Sequence, residues 1–92
     1  MRRAARRDDN EQGIVSALRA QGAHVFYINE WCDLIVAYKG RTILLEVKDG
    51  DKPPSARNLT PREQKFHDEW EGGELYVVKN IEEAIDTLRI GQ

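Results

Sequence analysis

The sequence predicts an α/β domain with the element order α-β-β-β-α-β-α, in which flanking helices cover a central, mixed four-stranded sheet. Strand-like runs at 33–38 and 41–48 lie on either side of Lys39-Gly40, a two-residue connection with glycine where a tight hairpin turn needs a positive φ. A later strand-like run at 74–79 follows a helical segment and so returns to the sheet by a crossover. The hairpin and the crossover together require both antiparallel and parallel strand pairs.

The first helix and the first strand are predicted from the N-terminal third of the chain. Residues 8–10 (Asp-Asp-Asn) offer side-chain oxygens that can cap a helix, and apolar residues then recur at helical spacing from Ile14 to Leu18. Gln21-Gly22 supplies a stop for this helix. Residues 23–29 are rich in β-branched and aromatic side chains and therefore predict a strand.

The second half of the chain begins with a loop, predicted at 49–58 because this stretch holds two adjacent prolines and no apolar period. Residues 60–63 (Thr-Pro-Arg-Glu) have the pattern of a capping box with proline at the first helical position. Phe66 and Trp70 are predicted to mark the buried face of that helix. Asn80 is predicted to cap a last helix, whose apolar face consists of Ile81, Ala84, Ile85 and Leu88.

Length and composition indicate one folded domain over 1–92. The chain is 40% hydrophobic and 33% charged and has 3 prolines, which is typical of a globular domain and not of a disordered chain. A domain of this size has a modest core, so dimerisation is a natural source of further burial. Residues 1–8 are interpreted as a flexible basic arm that either meets phosphates or only solubilises the chain; its arginines are Arg2, Arg3, Arg6 and Arg7.

Cysteine content and hydropathy point to a cytoplasmic protein with no membrane segment. The single cysteine, Cys32, excludes an internal disulfide, and no apolar run approaches the roughly 18 residues needed to span a bilayer. The formal net charge of -2 does not favour binding of nucleic acid by bulk positive charge. A second basic set in the middle of the chain can still meet phosphates: Lys48, Lys52, Arg57, Arg62 and Lys65.

The hairpin predicts a cluster of charged side chains on one sheet face. If Lys39-Gly40 is the turn, Tyr38 pairs with Arg41, and continuing the register sets Asp33 across from Glu46. Opposed carboxylates are destabilising unless a cation lies between them, and alternation places Lys48 on the same face as Glu46. Such hard oxygen ligands suit Mg²⁺ or Mn²⁺, which also bind phosphate oxygens, so the expected substrate is a phosphate ester.

These residues match a known pattern. Asp33 and, after the hairpin turn, Glu46-Val47-Lys48 resemble the signature of the PD-(D/E)xK nuclease superfamily. Asn10-Glu11 on the first helix and residues 59–65 (Leu-Thr-Pro-Arg-Glu-Gln-Lys) extend the resemblance to the VRR-NUC family of virus-type replication and repair nucleases, in particular its small, stand-alone, phage-type members. Cys32 departs from the superfamily, which usually has proline before the aspartate.

The resemblance implies a restriction-endonuclease-like fold and an active site that hydrolyses DNA with Mg²⁺ or Mn²⁺. By this resemblance Asp33, Glu46 and the backbone carbonyl of Val47 would hold the metal. Glu11 would reach the metal directly, through water, or at a second ion. Lys48 would position and help to activate the attacking water and would stabilise charge in the transition state.

The resemblance further implies that Gln64 orients substrate or water. It also implies a homodimer acting as an endonuclease on branched DNA such as four-way (Holliday) junctions. Two other classes of function stay open: a catalytically inactive DNA-binding or dimerisation module that keeps the nuclease fold, and a phage-type regulatory or structural protein that binds metal without hydrolysis. The intact set of Asp33, Glu46 and Lys48 favours catalysis.

Each candidate residue also has a structural interpretation. Asp33 can be a turn residue, and Glu46 with Lys48 can form an ordinary solvated strand face. Glu11 can simply favour a helix N-terminus electrostatically, and Gln64 can be an exposed helical amide.

The histidines, the cysteine and the tryptophans carry weaker signals. No zinc-site spacing or nucleophile-base pairing is visible, so three residues are interpreted as structural: His24, His67 and Cys32. Either tryptophan can stack on a nucleobase. Trp70 shares a helical face with Phe66 and is predicted to belong to the core, whereas for Trp31, just before Asp33, both roles stay open.

Overall fold

The computed structural model describes residues 8–90, so the arginines of the predicted basic arm lie outside the described residues. The elements are α1 (Glu11–Ala20), β1 (His24–Tyr27), β2 (Leu34–Tyr38), β3 (Arg41–Val47), α2 (Pro54–Arg57), α3 (Pro61–Glu69), β4 (Glu74–Val78) and α4 (Ile81–Arg89). The predicted order is confirmed with one addition, because the loop predicted at 49–58 contains the single turn α2. Pro54 at the start of α2 has a φ already suited to a helix, which explains a turn in this stretch.

The four strands form one mixed sheet in the order β1-β2-β3-β4. β1 pairs with β2 and β2 with β3 in antiparallel fashion, whereas β3 and β4 are parallel. The turn between β2 and β3 has positive φ at both central residues, 49° at Lys39 and 79° at Gly40, and it sets Tyr38 opposite Arg41 as predicted. The central, mixed four-stranded sheet is therefore confirmed.

One face of the sheet carries the hydrophobic core. Val25, Val36 and Ile43 are neighbours across β1, β2 and β3 and are almost completely buried. Helices α1 and α4 contact each other and cover this face, with Ile14 and Leu88 among the buried side chains. Alternation along β3 directs Leu45 and Val47 into the same layer, because successive side chains of a strand point to opposite faces.

The opposite face carries an apolar row that no helix fully buries. In register across the four strands lie Phe26, Ile35, Leu44 and Leu75, named here the apolar row. Phe26 is 59% exposed and the other three are only partly buried. Helix α3 has no fully buried residue.

The prediction that Trp70 belongs to the core is wrong. Trp70 is the C-cap residue of α3 and is 38% exposed, and Phe66 is only partly buried. The indole N–H of Trp70 donates to the carbonyl of Gly73 at 2.9 Å, and its ring covers Gly72 so closely that a Cβ there would lie 2.3 Å from the ring. The ring therefore packs on the chain that leaves α3 and not on the sheet.

Two of the three predicted helix caps are confirmed. Thr60 and Glu63 form a reciprocal capping box at the start of α3, and the Asn80 side chain accepts from the backbone N–H of Glu83 in α4. Asn10 occupies the N-cap position of α1 but makes no side-chain cap. Within 8–90, no helix is long and apolar enough to cross a membrane.

The Asn10 side chain instead ties α1 to the sheet. Its amide nitrogen donates to the carbonyl of Lys48 at 3.1 Å and to the carbonyl of Lys79 at 3.0 Å, just past the ends of β3 and β4. These two strands are parallel, so their carboxyl ends lie at one edge of the sheet. Asn10 therefore fixes the N-terminus of α1 at that edge.

Arg41 makes a second tie between elements, at the opposite ends of β3 and β4. The Arg41 guanidinium binds the Glu74 carboxylate with two nitrogens, at 2.9 and 2.5 Å. It also donates to the carbonyls of Thr87 and Leu88, both at 2.7 Å, near the end of α4. The hydrogen bond from Arg41 lowers the pKa of Glu74. Arg41 thus joins the hairpin, β4 and α4 through one side chain.

Replacing Asn10 tests the tie between α1 and the sheet. We expect Asn10→Ala to lower the free energy of unfolding by about 1–2 kcal/mol, because two partly buried carbonyls lose their donor. Urea denaturation monitored by circular dichroism measures this change. Gln12→Ala, at an exposed position of α1, is the matched control and should leave the midpoint nearly unchanged. Equal effects of the two substitutions would show that Asn10 contributes no specific tie.

Candidate active site

The candidate site begins where the pairing of β2 and β3 ends. The last paired residues are Leu34 and Leu45. Continuing the hairpin register predicted that Asp33 would pair with Glu46, but Asp33 lies just outside the paired part of the strand. Its backbone N–H donates to the carbonyl of Leu45 at 3.0 Å, and its Oδ2 accepts from the backbone N–H of Val47 at 2.8 Å. These two bonds span Glu46 and bring the Asp33 carboxyl group against it.

The Glu46 carboxyl group is buried beside a second acid. Glu46 is 3% exposed and lines one cavity with Asp33 and Glu63. Burial raises the pKa of Glu46 far above its usual range, and the hydrogen bond and charge of Asp33, followed by those of Glu63, raise it further. In the cation-free protein the protonated form of Glu46 is therefore favoured.

Lys48 follows the last residue of β3 and lies on the same face of the sheet as Glu46. Its Nζ is 2.8 Å from Oε1 of Glu63 and 3.9 Å from Oε2 of Glu46. Burial acts to lower the pKa of Lys48, but the hydrogen bond and charge of Glu63, together with Glu46, outweigh burial and raise it. Lys48 is 9% exposed, so the solvated-face interpretation of Glu46 and Lys48 does not hold.

Glu63 is a site residue that the sequence argument used only as a helix cap. Its Oε1 accepts both from the backbone N–H of Thr60 and from Lys48 Nζ, each at 2.8 Å. Burial acts to raise the pKa of Glu63, but the hydrogen bond from Lys48 and that from Thr60 prevail and lower it. The capping box of Thr60 and Glu63 was the available signal in the sequence, because it fixes this carboxylate in the first turn of α3.

Gln64, predicted as a site residue, is not brought into this cluster. Its side chain is exposed and its amide donates to Oδ1 of Asp68 at 2.8 Å, along the outer side of α3. Neighbouring residues of a helix point about 100° apart, so a helix that directs Glu63 toward Lys48 directs Gln64 away from it. The structure therefore places Glu63, and not Gln64, next to the carboxyl pair.

Glu11, predicted to reach the metal, is 2% exposed at the first position of α1. It lines a depression together with Asp8, Gln12 and Tyr27, apart from the cavity that contains Asp33 and Glu46. Burial raises the pKa of Asp8, which also feels the charges of Lys48 and Asp33. This end of α1 is thus electrostatically close to the cluster, and the role of Glu11 at the metal stays a prediction.

The donor set fits a magnesium-like cation. Among residues 8–90 no group of three or more histidine, cysteine or acidic side chains has the arrangement of a metal site. Mg²⁺ often takes only one or two carboxylates and completes its shell with water and substrate phosphate. Asp33 and Glu46 provide two carboxyl groups on one cavity, and a divalent cation bound by both would relieve the repulsion that helps to raise the pKa of Glu46. Val47, between Glu46 and Lys48, adds a backbone carbonyl.

The Cys32 thiol beside the cluster does not supply a nucleophile. Cys32 is 4% exposed, and burial, followed by the charges of Glu46 and Asp33, raises the pKa of its thiol to about 12. A thiol that does not ionise at neutral pH is a weak nucleophile. Burial also lowers the pKa of His67, which favours the neutral imidazole. The inert thiol agrees with the structural role predicted for Cys32, whereas the structural role of His67 stays a prediction, because a neutral imidazole can still act as a base.

The buried pair gives a stability prediction for the metal-free protein. In EDTA at neutral pH, Glu46→Gln should raise the free energy of unfolding by about 1–2 kcal/mol, because the wild type must keep a proton on Glu46 that its unfolded chain releases. An acid whose pKa is raised on folding destabilises at pH values above its ordinary value of 4.5. The gain should therefore shrink as the pH falls toward 4.5.

Urea denaturation of both proteins between neutral and acidic pH measures this gain. Glu82→Gln, on the exposed first turn of α4, is the matched control and should show no such gain. A Glu46→Gln protein less stable than the wild type at every pH would contradict the account of the carboxyl pair.

Comparisons with known proteins bear on the fold. No family model and no curated protein matches the sequence. Among solved structures, a chain described as "VRR_NUC domain" is 19% identical, with a TM-score of 0.65, and the match covers 89% of this chain and 92% of that one. The protein therefore has the fold of a VRR-NUC domain, which confirms the restriction-endonuclease-like fold predicted from the sequence and supports the resemblance seen in its motifs.

Proposed function

We propose that this protein is a nuclease that hydrolyses DNA phosphodiester bonds with bound Mg²⁺ or Mn²⁺. The observation that carries the proposal is the buried Glu46 beside the partly buried Asp33, with the Lys48 ammonium next to them, at one edge of a sheet with the VRR-NUC fold. A buried acid pair destabilises the fold, so its presence is best explained by a ligand that binds both acids.

Asp33, Glu46 and the carbonyl of Val47 would hold the cation, with Glu11 contributing from α1. When bound, the cation would lower the pKa of a water molecule and neutralise charge on the scissile phosphate. The hydrogen bond from the Val47 N–H to Asp33 fixes one carboxyl oxygen, so the pair is ordered before the cation arrives. The protein thus contributes a preorganised, partly dry pocket.

Lys48 acts as a charged donor in this proposal. Its raised pKa keeps the ammonium protonated at neutral pH, so it donates hydrogen bonds to the attacking water and to a phosphate oxygen and does not accept a proton. Glu63 is a positioning residue, because its hydrogen bond at 2.8 Å fixes the direction of the Lys48 side chain. Orientation of substrate by Gln64 would require its amide to leave Asp68.

The proposed substrate is branched DNA such as a Holliday junction, cut by a homodimer. The motif resemblance supports both parts, and the apolar row supports the dimer. Phe26 in that row is 59% exposed and lies on a sheet face that α3 leaves partly open. A second copy that covers the row would bury apolar area that this small domain cannot bury alone.

Cleavage of labelled DNA tests the nuclease proposal. With Mg²⁺ or Mn²⁺ the wild type should cut a four-way junction, and Glu46→Ala and Lys48→Ala should each lower kcat by roughly 100-fold or more. Lys65→Ala is the matched lysine control, because Lys65 is 71% exposed and pairs only with Glu69 on the outer side of α3. It should keep kcat close to that of the wild type.

Two further variants locate the contribution of α3. Glu63→Gln keeps an acceptor but removes the charge that holds Lys48, so kcat should fall by about tenfold, with KM changed much less. Gln64→Ala should have the smaller effect. The reverse ranking would restore Gln64 as the residue of α3 that acts in the site. A wild type that binds DNA but never cuts it with either metal would leave an inactive DNA-binding module as the function.

The oligomeric state is tested by light scattering coupled to size exclusion. The wild type should have the mass of a dimer, and Phe26→Lys should shift it toward the monomer because a charge would be buried in the apolar row. Ile81→Lys is the matched control, since Ile81 is 48% exposed but lies on α4. A dimer that survives Phe26→Lys would place the interface elsewhere, and a monomeric wild type would contradict the dimer.

A further inference from the structure

We propose that Trp31 is a stacking platform for a nucleobase at the rim of the active site, and that the protein therefore prefers DNA with an unpaired nucleotide beside the scissile phosphate. The proposal rests on the nuclease function proposed above. It adds a binding site for one base and a physical reason for selecting non-duplex DNA.

Trp31 lies directly at the site. It precedes Asp33 by two residues and lines, with Asp33, Glu46 and Glu63, a cavity of about 130 Å³. The Trp31 side chain is nevertheless 54% exposed, although a tryptophan normally buries much of its large apolar surface. An exposed indole on the wall of a cavity with buried acids offers its ring to whatever approaches those acids.

The ring of Trp31 is held in place by two contacts from α3. The Phe66 ring stacks on it with centroids 5.9 Å apart and an interplanar angle of 25°. The Arg62 guanidinium lies over it, 5.1 Å from the ring centre. Arg62 and Phe66 are four residues apart on α3, so both approach from the same helix. These contacts orient the indole, and more than half of the Trp31 surface is still exposed to solvent.

The cation beside the platform, Arg62, can meet a phosphate of a nucleic acid, although the charged residues that line the cavity are acidic. Arg62 is 67% exposed and its other partner, Glu30, is 3.6 Å away and also exposed, so the guanidinium can turn to a phosphate without leaving a buried position. An aromatic ring beside a mobile arginine is the combination that binds single-stranded nucleic acid, in which bases stack and the cation follows the backbone.

The position of the platform selects the kind of nucleotide. A base inside a duplex is stacked on its neighbours and cannot also lie on a protein ring, whereas a base at a branch, gap or bulge is free to do so. Because Trp31 shares its cavity with Asp33 and Glu46, the stacked base would belong to a nucleotide next to the phosphate held there. Stacking would thus favour cleavage at such sites by roughly 5- to 100-fold.

The test compares two labelled DNAs that share the sequence around the cut and differ only in one unpaired nucleotide. We expect the wild type to have the higher kcat/KM on the DNA with the unpaired nucleotide, and Trp31→Ala to lose most of that preference. Trp31→Phe should retain most of it, because a smaller ring still stacks. Trp70→Phe is the matched control, since Trp70 contacts Phe66 but does not line the cavity, and it should keep the wild-type preference.

Binding without metal separates this inference from the nuclease proposal. In EDTA, 2-aminopurine at the unpaired position should change its fluorescence on the wild type and on Trp31→Phe, but not on Trp31→Ala. That result supports the platform even if no DNA is ever cut. An unchanged preference and an unchanged signal in Trp31→Ala would overturn it. A Trp31→Ala protein with altered oligomeric mass would also overturn it, because Trp31 would then contact a second copy.

Discussion

The buried carboxyl group of Glu46 beside the partly buried Asp33 limits how the surrounding elements can be arranged. Glu46 lies near the end of β3, on the face of the sheet opposite the core. It therefore cannot move away from Asp33 without disturbing β3. Burial and the neighbouring acid both disfavour its charged form, and in the proposed function a bound cation would remove this cost. The apolar layer beneath and the helices α1 and α4 provide the stability that tolerates it.

The hydrophobic core and the candidate active site lie on different faces of the sheet, and the Arg41 and Asn10 contacts lie at its two ends. The core face is sealed by α1 and α4, and Arg41 joins the far ends of β3, β4 and α4. At the other end, Asn10 holds α1 against the carbonyls that follow β3 and β4. Helix α3 is almost free of the core, and its contacts are with the site, through Glu63, and with Trp31, through Phe66. Change in α3 therefore affects function more than folding.

The sequence predicted best where the determinants are local. Lys39-Gly40 fixed the hairpin and its register, and the Thr60 capping box fixed the start of α3, because turn and cap chemistry involve only residues near in the chain. Three features could not be predicted because they depend on tertiary contacts. Asn10 binds carbonyls from distant strands, Trp70 covers its own chain, and the choice of Glu63 over Gln64 depends on the rotation of α3 relative to Lys48. Periodicity alone reports none of these distances.

The central claim is that Asp33 and Glu46 together bind one divalent cation. Electron paramagnetic resonance of Mn²⁺ titrated into the wild type, Asp33→Asn and Glu46→Gln tests it most directly, because free and bound Mn²⁺ give different signals and neither DNA nor turnover is needed. The account predicts saturable binding by the wild type that competes with Mg²⁺ and is strongly weakened in both variants. Binding of equal strength in all three proteins, or none in the wild type, would contradict it.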